Sequence, residues 1–447
     1  MIPKQNIAIV GAGLVGGLLA ILLARREHMV SVFERRPDIR EMKIVQGRSI
    51  NLALSDRGWR GLKAAGIDDE IRKIALPMRG RMMHSIKGEL TFQPYGKDGQ
   101  AIYSVSRAVL NQVLLKCADA FENVSLHFNH RCEDVDLDHR SLEFSTDENS
   151  SSKFQFDKIF GTDGAFSAVR TRMMKLDRFN YSQEFLTHGY KELEIPAGEN
   201  ETHTMQNDCL HIWPRDEFMM IALPNLEGSF TCTLFMAFKG RDAFANIKTE
   251  NDVQHFFNQY FPDAVSLMPT LLDDFMHNPT SSLVAVKCAP WNVEDKVLLL
   301  GDAAHAIVPF FGQGMNCGFE DCTVLSELMD EHGDNWQKIF SSFNALRKPA
   351  ADAISELALR NYIEMRDKTN DPIFLLQKKI EARFSAKYPN KWMPLYSQVT
   401  FTHIAYDDAL RNGDRQQAIM QQVMRMPDIE MMWDSDEVEK LMIELMG

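Results

Sequence analysis

Apolar residues along the chain follow two spacings, one typical of strands and one typical of helices. Short apolar or alternating segments predict strands, and they lie at 7–10, 30–33, 81–86, 124–128, 142–144, 158–160, 210–213, 218–223, 230–238, 283–288 and 297–300. At 106–118 the apolar residues recur at the spacing of one helix face. From 312 onward the pattern is almost wholly helical, with breaks predicted near Gly333, Pro349, Pro372 and 389–394. This order predicts an α/β beginning, a β-rich middle, a return strand at 297–300 and a helical C-terminal region.

The first apolar stretch admits two interpretations. Residues 7–24 carry no charge and are flanked by Lys4 and Arg25, so their length alone is compatible with a membrane span or a signal peptide. Glycines at 11, 13, 16 and 17 interrupt the stretch, however, and no small-residue cleavage pattern accompanies it. We therefore interpret it as a short buried strand at 7–10 followed by a helix at 14–26.

Composition narrows the class of protein without naming a function. The chain has 447 residues, of which 45% are hydrophobic and 25% are charged, as in soluble globular proteins. Its net charge of −13 argues against a nucleic-acid partner, which requires a basic surface. Seven cysteines occur without a CxxC pair, which predicts reduced thiols in a cytoplasmic protein rather than a disulfide framework.

A glycine-rich motif at the N-terminus predicts a dinucleotide site. The segment 11–16, GAGLVG, follows one predicted strand and opens a helix. Glycines in such a turn allow a pyrophosphate to approach the free N–H groups of the helix N-terminus. The next strand ends at Glu34, where a carboxylate can accept hydrogen bonds from ribose hydroxyls. The following Arg35 and Arg36 leave open whether the dinucleotide is FAD or NAD(P).

Two further motifs carry a family resemblance. Residues 161–167, GTDGAFS, lead to Arg170, and residues 301–305, GDAAH, lead to GQGMN at 312–316. They resemble the DG and GD motifs of the single-component FAD-dependent aromatic hydroxylases, typified by para-hydroxybenzoate hydroxylase. The resemblance implies an α/β fold in which an FAD-binding Rossmann-like domain is joined by a β-sheet substrate domain and a C-terminal helical region. It also implies that Asp302 contacts the ribityl chain and that the backbone N–H groups of 312–316 face the isoalloxazine.

The same resemblance implies a set of cofactor-binding residues and a division into domains. The residues expected to bind FAD are Gly11, Gly13, Gly16, Glu34, Arg35, Ala53, Arg107, Asp163, Asp302, Gly312, Gly314, Met315 and Asn316. Nucleotide-type motifs recur at 7–34 and 297–316, so we expect a discontinuous FAD-binding domain at 1–180, with a substrate-domain insertion near 75–105, and at 291–345. The β-rich substrate domain is expected at 181–290 and the helical region at 346–447.

Shorter strings narrow the resemblance to one family. Segments 78–82, 93–96, 188–193, 210–214, 221–225, 308–312 and 361–365 resemble the kynurenine 3-monooxygenases, over residues from about 5 to about 405. The resemblance implies an NADPH- and O₂-dependent FAD monooxygenase that converts L-kynurenine to 3-hydroxy-L-kynurenine through a flavin C4a-hydroperoxide. FAD is expected to be non-covalent, NADPH is the co-substrate, and no acid–base catalytic residue is expected, because the cofactor carries the chemistry.

The family resemblance also implies substrate contacts. Arg81, Tyr95, Asn361 and Tyr396 are expected to hold the amino-acid end of L-kynurenine, since a guanidinium suits a bidentate grip on a carboxylate. Asn361 lies on an apolar helical stripe, where a buried amide needs a hydrogen bond, so it serves a ligand or a core network. The aromatic ring is expected among Leu210, Ile221, Leu223, Phe235, Pro309, Phe310 and Met365.

Three features depart from the family pattern. Residues 428–447 contain seven acidic residues and one lysine, with an apolar face at 438, 441, 442, 445 and 446. We expect this segment to dock on the body of the chain or on a second copy, as in a homodimer, and not on a membrane. Phe311 stands where some relatives have histidine. No second glycine-rich motif marks a site for NADPH.

Other functions stay open on the sequence alone. A flavin hydroxylase of another aromatic acid, a flavin reductase or oxidase of the same fold, and a dinucleotide-binding sensor would share the FAD motifs. His127, His130 and Asp134 are close in sequence, but strand and loop give them no ligand geometry, so we expect no metal.

Overall fold

The computed structural model describes residues 4–42, 50–96, 99–146, 150–367 and 371–446, without the side chains of 365–367. The strands within these residues are β1 Asn6–Val10, β2 Met29–Phe33, β3 Asn51–Leu54, β4 Leu76–Met78, β5 Gly80–His84, β6 Leu90–Pro94, β7 Ile102–Ser106, β8 Val124–His127, β9 Arg131–Asp136, β10 Ser141–Ser145, β11 Ser151–Gln155, β12 Lys158–Gly161, β13 Asn180–Ile195, β14 Cys209–Arg215, β15 Phe218–Pro224, β16 Phe230–Ala237, β17 Thr280–Ala289, β18 Asn292–Val293 and β19 Val297–Leu299. The α-helices are α1 Leu14–Ala24, α2 Asp56–Ala65, α3 Asp68–Arg72, α4 Arg107–Asp119, α5 Ala168–Met173, α6 Glu250–Tyr260, α7 Pro262–Val265, α8 Leu271–His277, α9 Asp302–His305, α10 Gly314–His332, α11 Trp336–Asp367, α12 Pro372–Lys387, α13 Leu395–Thr400, α14 Tyr406–Val423, α15 Ile429–Met432 and α16 Asp436–Met446. Three short 3₁₀ helices span Glu199–Glu201, Phe244–Asn246 and Pro309–Phe311.

A mostly parallel sheet organises the first part of the chain. Its strand order is β18-β19-β12-β1-β2-β8, and β19, β12, β1, β2 and β8 run parallel. The late strand β19 therefore lies in the same sheet as β1, as the recurrence of nucleotide-type motifs predicted. The carboxyl ends of these strands meet at one edge, which is where open α/β sheets bind ligands.

The N-terminal apolar stretch forms β1 and α1, as predicted. Helix α1 is buried from Gly16 to Ala24, because it packs against β2, α2, α4 and α10. A helix that is apolar on all sides is expected in such a position. Among the helices that the structure describes, none combines the length and the apolarity needed to cross a lipid bilayer.

The middle of the chain forms a second, seven-stranded sheet. Its order is β17-β13-β16-β15-β14-β5-β6. Strand β5, from the early insertion, pairs with β14, which begins more than a hundred residues later, and β6 pairs with β5. One face of this sheet packs with α6 to α8 in a core of aromatic and aliphatic side chains. Strands β5 and β14, paired in parallel from Gly80 to Met83, lie beside the site described below.

Two sequence-based interpretations differ from the structure. The break predicted at Pro349 is wrong, because α11 runs through this residue. A proline inside a helix costs about 3 kcal/mol, and the burial of six apolar neighbours between 350 and 358, with exposures of 4% or less, offsets it. The 16-residue strand β13 was missed, because its polar residues alternate without an apolar run. The sequence also did not predict the shorter strands β3, β4, β6, β7, β9, β11 and β18.

The C-terminal segment packs on its own chain. Helix α16 is amphipathic, and it contributes the buried Val438 and Met442 to a separate core with α12, α14 and α15. Glu439 on the same helix forms ion pairs with Arg383 and Lys387 of α12. The sequence predicted that this segment docks on the body of the chain or on a second copy, and the structure shows it packed on the body of the chain.

Replacing Met442 by Ala is expected to lower the free energy of unfolding by about 2–5 kcal/mol, since it removes a fully buried side chain and leaves a cavity. The matched control is Met431→Ala, at a position that is 78% exposed, where a change within about 0.5 kcal/mol is expected. Denaturant unfolding of the three proteins measures both values. Equal stabilities of the two variants would contradict the packing of α16.

Candidate active site

The glycine-rich turn lies at the carboxyl end of β1. Gly11 has φ +104° and donates its N–H to the Phe33 carbonyl at 2.8 Å. A Cβ at Gly11 would lie 2.6 Å from the Thr162 carbonyl oxygen, and one at Gly16 would lie 2.0 Å from the Gly11 carbonyl oxygen. A Cβ at Gly13 would meet no atom within 4 Å. The protein itself therefore requires glycine at 11 and 16, whereas Gly13 faces open space.

Glu34 braces the same turn from the end of β2. One carboxylate oxygen accepts the N–H of Ala12 at 3.0 Å, and the other accepts the N–H of Arg36 at 3.0 Å. The carboxylate is partly exposed and stands beside the turn, within reach of a bound ribose. Arg35 is exposed, and it makes no contact that ties it to the other expected residues.

Asp163 follows β12 at the same sheet edge. Its Oδ2 accepts the N–H groups of Ala168 at 2.7 Å and Val169 at 3.3 Å, and so caps α5. Its Oδ1 is buried, and no described residue supplies it with a hydrogen-bond partner. Burial raises the pKa of this carboxyl, although hydrogen bonds from Ser167 and the helix start oppose the shift. An unpartnered buried oxygen in this position is a group that a ligand or water can satisfy.

The turn after β19 presents Asp302. Gly301, with φ +57°, donates its N–H to Asp321 Oδ2 at 2.9 Å, and a Cβ there would lie 2.9 Å from Val15 Cγ2. The Asp302 side chain is exposed to solvent. Desolvation by the surrounding residues nevertheless raises the pKa of its carboxyl, and the positive charge of Arg107 opposes that shift. The charge of Arg107 therefore acts on Asp302, although the two residues are far apart in sequence.

The start of α10 completes this edge. Asn316 accepts the Ser55 N–H at 2.9 Å and donates to the carbonyls of Ala53 and Gly312, each at 2.8 Å. Gly312 has φ +67°, and a Cβ at Gly314 would meet no atom within 4 Å. The first N–H groups of a helix lack partners within it and favour negative charge. Asn316 thus fixes an open helix start beside β3.

These features together fit a bound FAD. Two glycines face open space, one at each of two helix starts, and a buried carboxylate oxygen lacks a partner. The sequence motifs predict the pyrophosphate at Gly13 and the flavin ring at the start of α10, and a Cβ at Gly13 or at Gly314 would meet no atom within 4 Å. Arg35 is exposed and Ala53 lies within β3 of a separate sheet, whereas the other expected cofactor residues lie at strand ends, turns and helix starts.

A second group of residues surrounds Arg81 on β5. The guanidinium carbon lies 5.3 Å from the Tyr95 ring centre and 4.7 Å from that of Tyr396, and the two rings stack at 5.3 Å. Within the described part of the chain, Arg81 Nε and the Tyr95 hydroxyl are buried without hydrogen-bond partners. Burial raises the pKa of Tyr95 well above its usual value, so its hydroxyl keeps its proton. A cation and a phenol are therefore available for a ligand.

An apolar wall adjoins Arg81. Tyr95 and Leu223 form one buried cluster with Met78, Ile102 and Phe401, and Ala53, Leu210, Ile221 and Tyr396 pack against it. Phe235 and Phe310 lie 5.2 Å apart between ring centres. Pro309 is exposed beside them, and the side chain of Met365 lies outside the described part of the chain. The sequence did not indicate Phe401, which joins this cluster from beyond α13.

Asn361 of α11 anchors the loop that carries this wall. Its Nδ2 donates to the Phe310 carbonyl at 2.7 Å. The contact agrees with the interpretation of Asn361 as a member of a core network, and it also holds the residues next to Gly312 in place. Phe311, the departure from the family pattern, stacks on Tyr396 at 5.6 Å.

Beneath the cofactor edge lies a buried chain of charges that the sequence did not reveal. Asp321 accepts from His305 Nε2 at 2.6 Å and from Arg347 Nε at 2.8 Å. Glu320 accepts from Arg347 and from Arg57, each at 2.5 Å. Each of the five side chains is at most 6% exposed. No spacing rule joins residues 57, 305, 320, 321 and 347, because only the packing of α2, α9, α10 and α11 brings them together.

The His305–Asp321 pair predicts a pH effect on stability. Burial alone would lower the pKa of His305, but Asp321 and Cys317 raise it well above 6.5, and the pKa of Asp321 falls to about 2. A raised histidine pKa contributes stability that is complete below pH 6.5 and is lost as pH rises through the folded-state value. From pH 6.5 to about 8 the wild-type free energy of unfolding is expected to fall by at most about 1.4 kcal/mol per pH unit, and the melting temperature is expected to fall with it.

His305→Gln removes this titration and is the matched variant for the pH measurement. Its melting temperature is expected to be lower at pH 6.5 and nearly constant to about pH 8. Parallel curves for the two proteins would show that His305 is not protonated in the folded state.

Comparison with known proteins gives a consistent result. A family model for the FAD binding domain matches residues 4–358. The kynurenine 3-monooxygenase of Christiangramia forsetii is 52% identical over 446 residues, which are 100% of this chain and 99% of that protein. That of Dictyostelium discoideum is 45% identical, covering 94% of each chain, and that of Sus scrofa is 44% identical, covering 94% of this chain and 88% of the relative.

Solved structures share the fold at lower sequence identity. The tetrameric form of 2-methyl-3-hydroxypyridine-5-carboxylic acid oxygenase superposes with a TM-score of 0.66 at 19% identity, covering 83% of this chain and 94% of that one. PqsL of Pseudomonas aeruginosa, in complex with 2-aminobenzoylacetate, superposes with a TM-score of 0.66 at 19% identity, covering 82% and 97%. At this identity the similarity shows the fold alone, and it confirms the predicted fold class.

Proposed function

Because the chain belongs to the family of kynurenine 3-monooxygenases and contains its FAD binding domain, we propose that it hydroxylates L-kynurenine at C3 in the cleft between the FAD edge and the Arg81 pocket. FAD is the cofactor, and NADPH and O₂ are the co-substrates. The family assignment and the FAD site were both predicted by the sequence motifs.

The observation that carries the substrate assignment is the position of Arg81 between two tyrosines, with an Nε that has no hydrogen-bond partner among the described residues. Its guanidinium can pair with a carboxylate, and the Tyr95 hydroxyl can donate a further hydrogen bond. The apolar cluster with Leu223 adjoins Tyr95 and Tyr396, so the proposed substrate site has a cation at one end and apolar side chains at the other. An aromatic amino acid has the same division, which favours L-kynurenine over an unsubstituted aromatic ring.

The residues of the chain bind and orient the substrate, and they exclude water. When bound, FAD supplies the redox chemistry that activates O₂. Arg81, Tyr95 and Tyr396 fix the carboxylate end, and Phe235 and Phe310 bound the space for the ring. Burial of these walls keeps water from the reacting centre. The first turn of α10 stabilises negative charge on a reduced cofactor.

The domain organisation follows from the same arrangement. We assign the parallel sheet and its helices to a discontinuous FAD-binding domain, and the seven-stranded sheet to a substrate domain. The helical region from 346 onward contributes Asn361 and Tyr396 to the proposed pocket. All seven cysteines are free, and five of them are buried, which is compatible with a reducing, cytoplasmic environment.

One assay tests the proposed function directly. Purified protein loaded with FAD is mixed with NADPH in air, with and without L-kynurenine, and the products are identified by mass spectrometry. We expect kynurenine to stimulate NADPH oxidation and to gain one oxygen atom. NADPH oxidation without oxygen insertion would indicate a reductase or oxidase instead, and oxygen insertion only into another aromatic acid would overturn the assignment of L-kynurenine.

A further inference from the structure

Arg57 joins the C-terminal region to the helix at the flavin edge. It belongs to α2, and its side chain is fully buried. Its Nη1 donates to Glu320 of α10 at 2.5 Å, its Nε donates to the Val399 carbonyl at 2.9 Å, and its Nη2 donates to the Ile404 carbonyl. A guanidinium remains charged when buried, so these three acceptors and α2 are held in one fixed arrangement.

The acceptor Val399 lies on the same short helix as a residue of the substrate pocket. Helix α13 spans Leu395–Thr400. Tyr396 on this helix faces Arg81, Tyr95 and Phe311, whereas Val399 is fully buried and bonds to Arg57. A displacement of Tyr396 by a ligand therefore acts on a six-residue helix whose other side is bonded to Arg57.

A second contact reaches the N-terminus of α10. The Arg57 guanidinium carbon lies 3.9 Å from the centre of the Tyr406 ring, and the Tyr406 hydroxyl donates to Gln313 Oε1 at 2.9 Å. Gln313 is 2% exposed and is the N-cap of α10. It directly precedes Gly314, where the flavin ring would lie. Glu320 and Gln313 thus connect Arg57 to two points along the same helix.

We infer that Arg57, Tyr406 and Gln313 are positioning residues that transmit occupation of the substrate pocket to the flavin-facing start of α10. The inference rests on the proposed function. Substrate entering beside Tyr396 shifts α13, and the shift passes through the Val399 carbonyl, Arg57 and Tyr406 to Gln313. The stimulation of NADPH oxidation by kynurenine belongs to the proposed function, and the inference concerns only the residues through which it acts. The contacts form a continuous physical network, and the dependence is the property to be measured.

The test uses Tyr406→Phe, Gln313→Met and the double variant, all as FAD-loaded full-length proteins. Tyr406→Phe keeps the ring against Arg57 and removes only the hydroxyl. The ratio of NADPH oxidation with kynurenine to that without it is measured for each protein. Kynurenine affinity is measured separately from flavin absorbance, and melting temperature and FAD dissociation are measured as indicators of structure. Tyr260→Phe, which also loses a hydroxyl bonded to a side chain, here Asp242 at 3.0 Å, is the matched control.

We expect each single variant to lower the stimulation ratio at least about threefold, with kynurenine affinity within twofold of wild type. The stimulation ratio of the double variant should be no lower than that of the single variants, because both substitutions remove the same hydrogen bond between Tyr406 and Gln313. Hydrogen exchange in peptides spanning 313–318 should slow on adding kynurenine to wild type and change less in Tyr406→Phe.

Several results would overturn the inference. One is an unchanged stimulation ratio in Tyr406→Phe, and another is a double variant whose ratio falls by the sum of the two single effects. A third is a fall in the ratio that is accompanied by equal losses of bound FAD and of melting temperature. Failure of the proposed function would be recognised separately, because the wild-type protein would then show no stimulation by kynurenine and no hydroxylated product.

Discussion

Replacing Arg81 by Met is expected to weaken L-kynurenine binding by roughly ten- to 150-fold. The guanidinium is buried between Tyr95 and Tyr396, and its Nε has no partner among the described residues. Losing a hydrogen bond to a charged group typically costs on the order of 1.5–3 kcal/mol, and about 1.4 kcal/mol corresponds to tenfold in affinity. The measurement is a titration of flavin absorbance with kynurenine in both proteins.

Two further variants separate a substrate contact from a structural role. Arg81→Lys should recover only part of the affinity, because a point charge cannot reproduce the planar fork of a guanidinium. Arg79→Met, at an exposed position one residue before β5, should bind kynurenine as wild type does. FAD content and melting temperature should change little in all three. An affinity of Arg81→Met within twofold of wild type would remove Arg81 from the site and with it the main support for an amino-acid substrate.

Replacing Gly13 by Val is expected to abolish FAD binding while the apoprotein keeps its fold. Gly13 has φ −75° and ψ −171°, which valine adopts without strain, and a Cβ there meets no protein atom within 4 Å. The side chain would instead occupy the space in which the pyrophosphate approaches the helix start. Flavin absorbance of the purified protein and the melting temperature of the FAD-free protein give the two measurements.

Gly16→Ala provides the contrasting variant. A Cβ at position 16 would lie 2.0 Å from the Gly11 carbonyl oxygen, so this smaller substitution should lower the melting temperature of the apoprotein as well as its flavin content. Stable flavin binding by Gly13→Val would show that the pyrophosphate does not lie at this turn. Loss of apoprotein stability in Gly13→Val would show that position 13 is not open.

Acid precipitation of the wild-type protein should release its flavin, as expected for a non-covalent cofactor.

The sequence alone determined the features that depend on local spacing. The strand–turn–helix at 6–24, the acidic end of β2 and the GD turn before α9 are short-range patterns, in which glycine permits a backbone conformation and apolar runs predict buried strands. Their order along the chain also identified the family and FAD as the cofactor, and it predicted the residues of the FAD site. The same local logic predicted the amphipathic face of α16.

Where local rules and packing compete, the tertiary structure decided the outcome. The sequence predicted a break at Pro349, but the buried face of α11 outweighs the loss of one helical hydrogen bond. The alternating polar strand β13 forms because strands β16 and β17 lie on either side of it. Neither neighbour can be identified from the local pattern of β13.

Only the tertiary structure brought together the groups that carry charge into the interior. Arg57, Glu320 and Arg347 are scattered over 290 residues, and a buried charge is tolerated only when partners from other elements surround it. The stacking of Tyr95 on Tyr396 around Arg81 depends in the same way on the return of the C-terminal region to β5. Local spacing determines which conformation a segment favours, whereas the three-dimensional packing determines which distant side chains share one low-dielectric environment.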